Sequence, residues 1–168
     1  MEFRSLHKED DRSRFSCGNG DLDTFFRRFA GQNQFRHQIG VTYVFVDDTG
    51  IAAFVTVAAH SLQLPDGQRG SLPDYQLPVL LIARLGVDVG RSGQGLGKRL
   101  LRECCALAVE QSERFGCVGL ATDAKADAVE FYQRFGFTPL ADPTERGTQL
   151  HFLALRHFLA EVKARNPV

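Results

Sequence analysis

The sequence has no tryptophan, a single methionine and four cysteines among its 168 residues. The cysteines, Cys17, Cys104, Cys105 and Cys117, form neither a Cys-x-x-Cys pair nor a cluster with histidine, so no disulfide framework or zinc site is expected. The five histidines also lack the spacing of metal ligands, and we expect no bound metal. Free thiols in a reducing compartment are the simpler interpretation.

Long apolar runs are missing as well. No stretch approaches the roughly 20 uninterrupted apolar residues that a membrane span needs, and the first residues are polar and charged. We therefore expect a cytoplasmic protein that has no contact with a membrane and no cleaved secretion signal. Twenty Lys and Arg balance twenty Asp and Glu, so no overall field attracts nucleic acid.

The composition is that of a folded protein, with 43% apolar residues and 14 phenylalanines. Apolar periodicity predicts one α/β domain over residues 1–168, with a central mixed, largely antiparallel sheet flanked by helices. Asp21 or Asp23 is expected to cap the first helix, and the strand at 79–89 is expected to be buried on both faces. The predicted elements are helix 22–36, strands 41–46, 51–57 and 79–89, helix 96–116, strand 117–122, helix 128–135, strand 149–155 and a terminal helix.

The most informative segment is Arg91-Ser92-Gly93-Gln94-Gly95-Leu96-Gly97-Lys98, between a predicted strand and its helix. Alternate glycines allow a tight turn with open backbone N–H groups, and the helix start adds positive potential, which together favour a phosphate or pyrophosphate site. The segment is not a Walker loop, because Ser92 replaces its first glycine, nor a Rossmann loop, because Lys98 replaces the third. A ligand-free structural turn is the alternative.

Positive charge is concentrated around this segment. Residues 84–102 contain five basic side chains against one acid, Asp88. This excess could bind a polyanion, or it could be a solvated helix surface, and charge alone does not decide between the two. The basic residues are Arg84, Arg91, Lys98, Arg99 and Arg102.

Three segments together resemble the GNAT superfamily of acyl-CoA-dependent N-acetyltransferases: Leu85-Gly86-Val87-Asp88, the glycine segment, and Glu130-Phe131-Tyr132-Gln133-Arg134-Phe135-Gly136-Phe137. The resemblance implies a GNAT-like fold and acetyl-CoA as co-substrate. It assigns pantetheine contacts to Leu85 and Val87. Phosphate contacts are assigned to Ser92, Gly93, Gln94, Gly95, Leu96, Gly97 and Lys98, with Phe131 in the same site. Ser92 stands where the family often has Gln or Arg, but binding through main-chain N–H groups should survive this change.

A closer resemblance, over roughly residues 4–140, is to the GNAT-type toxins of bacterial toxin–antitoxin modules. It is carried by Phe15-Ser16-Cys17-Gly18, Leu22-Asp23-Thr24-Phe25-Phe26, Thr42-Tyr43-Val44, Ala83-Arg84-Leu85-Gly86-Val87-Asp88 and Asp123-Ala124-Lys125. The resemblance implies acetylation of the amino group of aminoacyl-tRNA, a ribbon-helix-helix antitoxin as partner, and a homodimer. Two departures are Gly86, where alanine is usual, and Phe54-Val55, where Gly-Tyr is more frequent.

Tyr132 is the candidate general acid. A phenol with a pKa near 10 stays protonated at neutral pH and can donate to a thiolate whose conjugate thiol has a pKa of about 8.5. A core aromatic is the alternative, since Tyr132 lies among phenylalanines on a predicted helix. The backbone N–H of Val87 or a neighbour is the candidate oxyanion donor.

No acidic residue identifies itself as the general base, and Asp88 and Glu130 both remain candidates. An α-amino group, with a pKa of about 7.7–8.0, is partly neutral at pH 7 without a base, whereas lysine is almost fully protonated. This difference favours an α-amino acceptor.

Transfer RNA would need a basic surface, because phosphate contacts dominate its affinity. A solvated helix surface is an equal alternative for several of the candidates. Two other functions also stay open, a non-toxic GNAT enzyme acting on a small amine or a protein N-terminus, and a non-catalytic acyl-CoA-binding module. The candidates for the basic surface are Arg12, Arg14, Arg27, Arg28, Arg36, His37, Arg84 and Arg91.

Overall fold

A computed structural model describes residues 1–167. Its seven strands form one mixed sheet, in the order β1-β2-β3-β4-β5-β7-β6, flanked by helices. The strands are β1 Glu2–Ser5, β2 Val41–Asp47, β3 Gly50–Leu62, β4 Leu77–Val87, β5 Gly119–Lys125, β6 Thr138–Pro139 and β7 Thr148–Ala154. The helices are α1 Gly20–Thr24, α2 Asp66–Arg69, α3 Leu96–Arg114, α4 Val129–Phe135 and α5 Leu159–Arg165.

The fold confirms the predicted α/β class with a mixed, largely antiparallel sheet. Strand β2 is antiparallel to β1 and β3, and β7 is antiparallel to β5 and β6. Backbone contacts divide the chain into two compact units, one of residues 1–58 and 82–101, the other of residues 59–81 and 102 onward.

In the first unit, the predicted helix at 22–36 is helical but not uniformly α. After α1, the segments Phe25–Phe29 and Gln32–Arg36 are π-helical turns. The helix is capped by Asn19, whose side-chain oxygen accepts from the N–H groups of Asp21 and Leu22 at 3.1 Å each. The prediction that Asp21 or Asp23 caps the helix was therefore wrong, because Asn19 stands two residues before Asp21 and reaches both open N–H groups.

Asp23 has a different structural role. Its buried carboxylate accepts from the N–H of Cys17 at 2.8 Å and from the hydroxyl of Ser16 at 3.1 Å. Burial acts to raise the pKa of Asp23, but these hydrogen bonds outweigh it and hold the pKa below its usual value. Asp23 thereby ties the segment before the helix to the helix itself.

Phenylalanines form the core of the first unit. The ring of Phe54 on β3 stacks on Phe26, with 4.3 Å between centroids, and meets Phe15 edge-on at 5.4 Å. Phe54 and Phe26 have no exposed surface. Stacked and edge-on rings contribute beyond their buried area, so this cluster fixes the helix against the strand. The core of the unit comprises Leu6, Phe15, Phe25, Phe26, Ala30, Val44 and Phe54.

In the second unit, β7 pairs along the full length of β5, and Thr122 lies opposite His151. Strand β5 begins two residues later than predicted and extends to Lys125. The sequence prediction missed β1 and β6, which are only four and two residues long. The core of this unit comprises Leu62, Leu64, Leu77, Val79, Ala121, Phe152 and Ala154.

Strand β4 differs from its prediction. Leu77, Val79 and Ile82 are buried, but Ala83 and Arg84 are exposed. The prediction that residues 79–89 are buried on both faces therefore holds for Val79, Leu80 and Ile82. It is wrong at Ala83 and Arg84, just before the segment assigned to pantetheine, and at Val89, which is 58% exposed and lies beyond the strand.

All four cysteines are free thiols, as predicted, and Cys104, Cys105 and Cys117 are buried. Burial raises the pKa of Cys17 to about 11 and that of Cys105 to about 12. Thiols with such pKa values carry almost no thiolate at neutral pH and are poor nucleophiles.

Candidate active site

The glycine segment forms an open loop between β4 and α3. Gly93 and Gly95 have φ angles of 77° and 73°, in the left-handed region that other residues rarely adopt. A Cβ atom added to either glycine would have no neighbour within 4 Å, so open space lies beside the backbone. The loop therefore combines a glycine-dependent conformation with room for a ligand, which fits the diphosphate of acetyl-CoA.

Helix α3 begins at Leu96, directly after this loop, and runs for 19 residues. Leu96 is 2% exposed and anchors the helix start in the core, whereas Ser92, Gln94 and Lys98 are exposed. No acidic residue occurs in the first turn. The open N–H groups at the start of a long helix favour an anion, and here no carboxylate competes with it.

Two of the basic residues near the loop have side-chain contacts within the protein. Arg91 forms two hydrogen bonds with the Asp47 carboxylate, at 2.7 and 2.9 Å, and also contacts Thr49. Arg99 lies 4.7 Å from the ring of Phe45. Arg91 therefore fastens the loop to the β2–β3 turn, a role that differs from the polyanion contact considered from the sequence.

The strand segment assigned to pantetheine lies at the end of β4. Leu85 and Val87 are half-buried, while Gly86 between them is buried against Phe54 and Cys17. The side chains of alternate residues project to opposite faces. Leu85 and Val87 therefore share one face, opposite the tightly packed face of Gly86.

Tyr132 lies on α4 and is 6% exposed. Its ring meets Phe131 and Phe137 edge-on, at 5.1 and 5.3 Å between centroids. Burial raises the pKa of Tyr132 to about 12, although a hydrogen bond with Thr122 acts in the opposite direction. The phenol is therefore fully protonated at neutral pH, as a general acid must be before it donates.

Thr122 and His151 were not singled out as site residues from the sequence. The buried Thr122 hydrogen-bonds the phenol of Tyr132, and His151 is its partner across the β5–β7 ladder. The His151 ring is fully buried, with Nδ1 3.0 Å from the carbonyl oxygen of Gln149 and Nε2 3.5 Å from Nε2 of Gln133. Only the strand pairing reveals that these two polar residues lie side by side.

Both candidate bases have structural partners. The Asp88 carboxylate accepts from the N–H groups of Ser16 at 3.1 Å and Gly90 at 2.9 Å. Glu130 is exposed and pairs with Arg134. These contacts give Asp88 a role in the turn after β4, and they leave Glu130 at the surface of α4.

Within residues 1–167, no group of three or more His, Cys, Asp or Glu side chains could hold a metal ion. In the same part of the chain, no helix has both the length and the apolar character needed to cross a membrane.

Comparison with known proteins identifies the fold and the family. The model of the acetyltransferase (GNAT) domain matches residues 38–139, more than half of the chain. A tRNA-acetylating toxin of Mycobacterium tuberculosis (strain ATCC 25618 / H37Rv) is 32% identical over 158 residues, which span 90% of each chain.

Two solved structures are similar at lower identity and show the fold. AtaT complexed with acetyl-methionyl-tRNAfMet superposes with a TM-score of 0.84 at 22% identity, covering 95% of this chain and 98% of the other. A tyrosine-to-phenylalanine mutant of AtaT, bound to the C-terminus of the antitoxin AtaR and to acetyl-CoA, has a TM-score of 0.80 at 20% identity, covering 99% and 98%. The chain therefore belongs to the GNAT family of acetyltransferases and is an acetyl-CoA-dependent N-acetyltransferase.

Proposed function

We propose that this enzyme transfers an acetyl group from acetyl-CoA to the α-amino group of aminoacyl-tRNA and acts as a toxin. The observation that carries the chemistry is the buried phenol of Tyr132, held in its protonated form. The acceptor is supported by the 32% identity to a tRNA-acetylating toxin along 90% of the chain.

The residues for acetyl-CoA are those assigned from the sequence. Ser92, Gly93, Gln94, Gly95, Leu96, Gly97 and Lys98 hold the diphosphate, chiefly through backbone N–H groups at the start of α3. Leu85 and Val87 bind pantetheine through the backbone of β4, and Phe131 completes the site beside Tyr132. The positive φ angles of Gly93 and Gly95 and the open space beside them support this assignment.

In the reaction, bound acetyl-CoA supplies an activated acetyl thioester. The neutral amine forms the new N–C bond at the thioester carbonyl, and the C–S bond breaks. The backbone N–H of Val87 or a neighbour donates to the carbonyl oxygen as its negative charge develops. Tyr132 passes its Oη proton to the departing sulfur, the amine loses its proton to solvent, and the phenolate regains a proton from solvent before the next turnover.

The engagement of both candidate bases in structural contacts is consistent with an α-amino acceptor. Asp88 is engaged by two backbone N–H groups, and Glu130 is paired with Arg134 at the surface. An α-amino group with a pKa of about 7.7–8.0 is partly neutral near pH 7 and needs no such residue. A lysine acceptor would need one, because its pKa is about 10.4.

The partners follow from the same proposal. We infer that the chain functions in the cytoplasm as a single acyl-CoA N-acyltransferase domain over residues 1–168. It forms a homodimer and is restrained by a small ribbon-helix-helix antitoxin. The similarity to a toxin structure that contains the C-terminus of its antitoxin supports the antitoxin partner.

The test is a comparison of wild type with Tyr132→Phe. Each is expressed from a tightly controlled promoter, and growth and labelled acetyl incorporation into charged tRNA are followed. Wild type should arrest growth and label the tRNA, and Tyr132→Phe should lose both. Tyr75→Phe is the matched control, because Tyr75 is 62% exposed, and it should behave as wild type.

Other outcomes would contradict the proposal. Normal growth and unlabelled tRNA, despite measurable acetyl-CoA binding, would favour an enzyme for a small amine or a protein N-terminus. Bound acetyl-CoA with no transfer to any amine, in wild type and Tyr132→Phe alike, would favour a non-catalytic binding module.

A further inference from the structure

The first helix presents positive charge from a stretch of chain that contains no acidic residue. Between Asp23 and Asp47 the sequence has no Asp or Glu, but it has three arginines and one histidine. The two flanking carboxylates are engaged, Asp23 with Ser16 and Cys17 and Asp47 with Arg91. The positive charge of this stretch is therefore not compensated by neighbours along the chain.

The structure separates basic residues whose side chains hydrogen-bond to the backbone from those whose side chains have no such bond. Arg27 donates to the carbonyl oxygen of Phe15, with Nε at 2.8 Å, and Arg12 donates to that of Phe26 at 3.0 Å. Arg28 and Arg36 are exposed, and neither side chain has a hydrogen bond or ion pair within residues 1–167. The two alternatives given above, a tRNA-binding surface and a solvated helix surface, therefore remain for Arg28 and Arg36.

The π-helical turns align these exposed side chains. A π-turn closes over five residues, as where the N–H of His37 donates to the carbonyl of Gln32 at 3.2 Å, so residues four apart lie close to one face. Arg28, Gln32 and Arg36 have this spacing, and Nε2 of Gln32 lies 3.2 Å from Nε2 of His37. We name Arg28, Gln32, Arg36 and His37 the basic face.

The basic face begins beside the strand that is assigned to acetyl-CoA. The guanidinium carbon of Arg84 lies 4.1 Å from the ring centroid of Phe25, which precedes Arg28 by three residues. Stacking on a ring leaves the N–H edge of an arginine available to a phosphate. Arg84 directly precedes Leu85 on β4, so the basic face comes within one residue of the strand backbone that is assigned to pantetheine, although the side chains of Arg84 and Leu85 project to opposite faces.

An exposed aromatic ring adjoins the charges. Phe29 follows Arg28 in the helix and is 47% exposed. Exposed rings stack on unpaired bases, and arginines bind the phosphates between them, which is how proteins hold single-stranded RNA. A duplex stem would offer phosphates but no open base for the ring.

We propose that the basic face, together with Arg84 and Phe29, binds the single-stranded 3′ end of charged tRNA. Arg28, Arg36 and Arg84 contact phosphates, and Phe29 stacks on a base. This inference rests on the proposed function and assigns its acceptor to particular side chains. The path leads along the helix to β4, where the acetyl group is to be transferred.

The test compares wild type, the double variant Arg28→Gln/Arg36→Gln, and Phe29→Ser. The KM for charged tRNA and the kcat are measured at several salt concentrations, with melting temperatures as a check of folding. The double variant should raise the KM about tenfold and lower the slope of log KM against log salt by about 1 to 2. Phe29→Ser should raise the KM without changing that slope. The KM for acetyl-CoA should not change in either.

Arg114→Gln is the matched control, since this arginine is also exposed, with 71% of its side chain accessible, and lies at the end of α3. It should leave every parameter unchanged.

If wild type does not acetylate charged tRNA, the proposed function is wrong, and the inference that rests on it is wrong as well. If wild type acetylates tRNA and the double variant keeps its KM and salt slope, only the inference is overturned. Unchanged tRNA parameters with lost antitoxin inhibition would assign the basic face to a protein partner instead, and would also overturn it.

Discussion

Phe54 occupies the space that a side chain on Gly86 would need. A Cβ atom built on Gly86 would lie 2.8 Å from Cε1 of Phe54 and 3.4 Å from the side chain of Cys17. These two positions are the ones at which the sequence differs from the pattern of the GNAT-type toxins that it resembles, with glycine for alanine and phenylalanine for glycine. The departures are therefore complementary, because the larger residue on β3 requires the smaller one on β4.

Gly86→Ala should destabilise the protein by about 1–3 kcal/mol, because its methyl group is forced against a buried ring. In the background of Phe54→Leu the same change should cost less, since the obstructing atom is gone. Denaturant unfolding of the four proteins in this double-mutant cycle measures the coupling. Strictly additive free energies would show that the two residues do not compete for space.

The rate of acetyl transfer should depend on pH through the amine and not through Tyr132. We expect kcat/KM to rise as the α-amino group loses its proton, at about pH 7.7–8.0, and to stay level up to about pH 10. The reason is that burial raises the pKa of Tyr132 to about 12, so its proton is retained throughout. A pH–rate profile of wild type checks this, and an alkaline decrease below pH 10 would contradict it.

The same pKa can be observed directly in the absorbance of tyrosinate, because the chain has three tyrosines and no tryptophan. Alkaline titration of wild type should show an ionisation step at about pH 12, from Tyr132. Tyr132→Phe should remove this late step, whereas Tyr75→Phe should keep it.

Thr122→Val should lower kcat by about tenfold, with little change in the KM for acetyl-CoA. The valine has nearly the same shape but cannot hydrogen-bond the phenol, so Tyr132 loses the contact that orients it, and a lost hydrogen bond of about 1.4 kcal/mol corresponds to that factor. Thr122→Ser retains the hydroxyl and should restore most of the rate. Equal losses in both variants would indicate a packing role instead.

Asp47→Asn should raise the KM for acetyl-CoA two- to fivefold, because loss of a solvent-screened ion pair has only a modest effect. The substitution weakens the attachment of Arg91, which holds the glycine loop to the β2–β3 turn. Steady-state kinetics with varied acetyl-CoA test this. Asp48→Asn removes the same charge from the exposed neighbouring residue and should have no effect.

Acid should weaken the fold through Asp10. Two hydrogen bonds from Arg4, each 2.8 Å, lower the pKa of this carboxyl group, and the N–H of His7 adds a third. Because the pKa is lower in the folded than in the unfolded chain, the stabilisation is present above about pH 4 and is lost as pH falls through the folded-state value. Asp10→Asn should therefore differ from wild type in unfolding free energy at pH 7 and much less in acid. Glu9→Gln, at an exposed residue, should have the same unfolding free energy as wild type at pH 7.

The sequence predicted the elements that have strong apolar periodicity, including α3 and the β2–β3 hairpin. It also predicted the glycine loop, since alternate glycines between a strand and a helix have a local physical reason. It did not predict β1 and β6, because such short strands depend on pairing with distant residues. The pairing of Arg91 with Asp47 and the contact of Thr122 with Tyr132 were missed for the same reason, because each joins residues that are distant in the sequence.

The π-helical turns also bear on how the choice of acceptor could change during evolution. A single-residue deletion between Phe29 and Gln32 would turn the following helix by about 100°, the angle between successive α-helical residues. Arg36 and His37 would then point elsewhere, while Phe25, Phe26 and the β-sheet kept their places. Relatives with a different substrate could thus arise by a change of helical register, with the acetyl-transfer chemistry left intact.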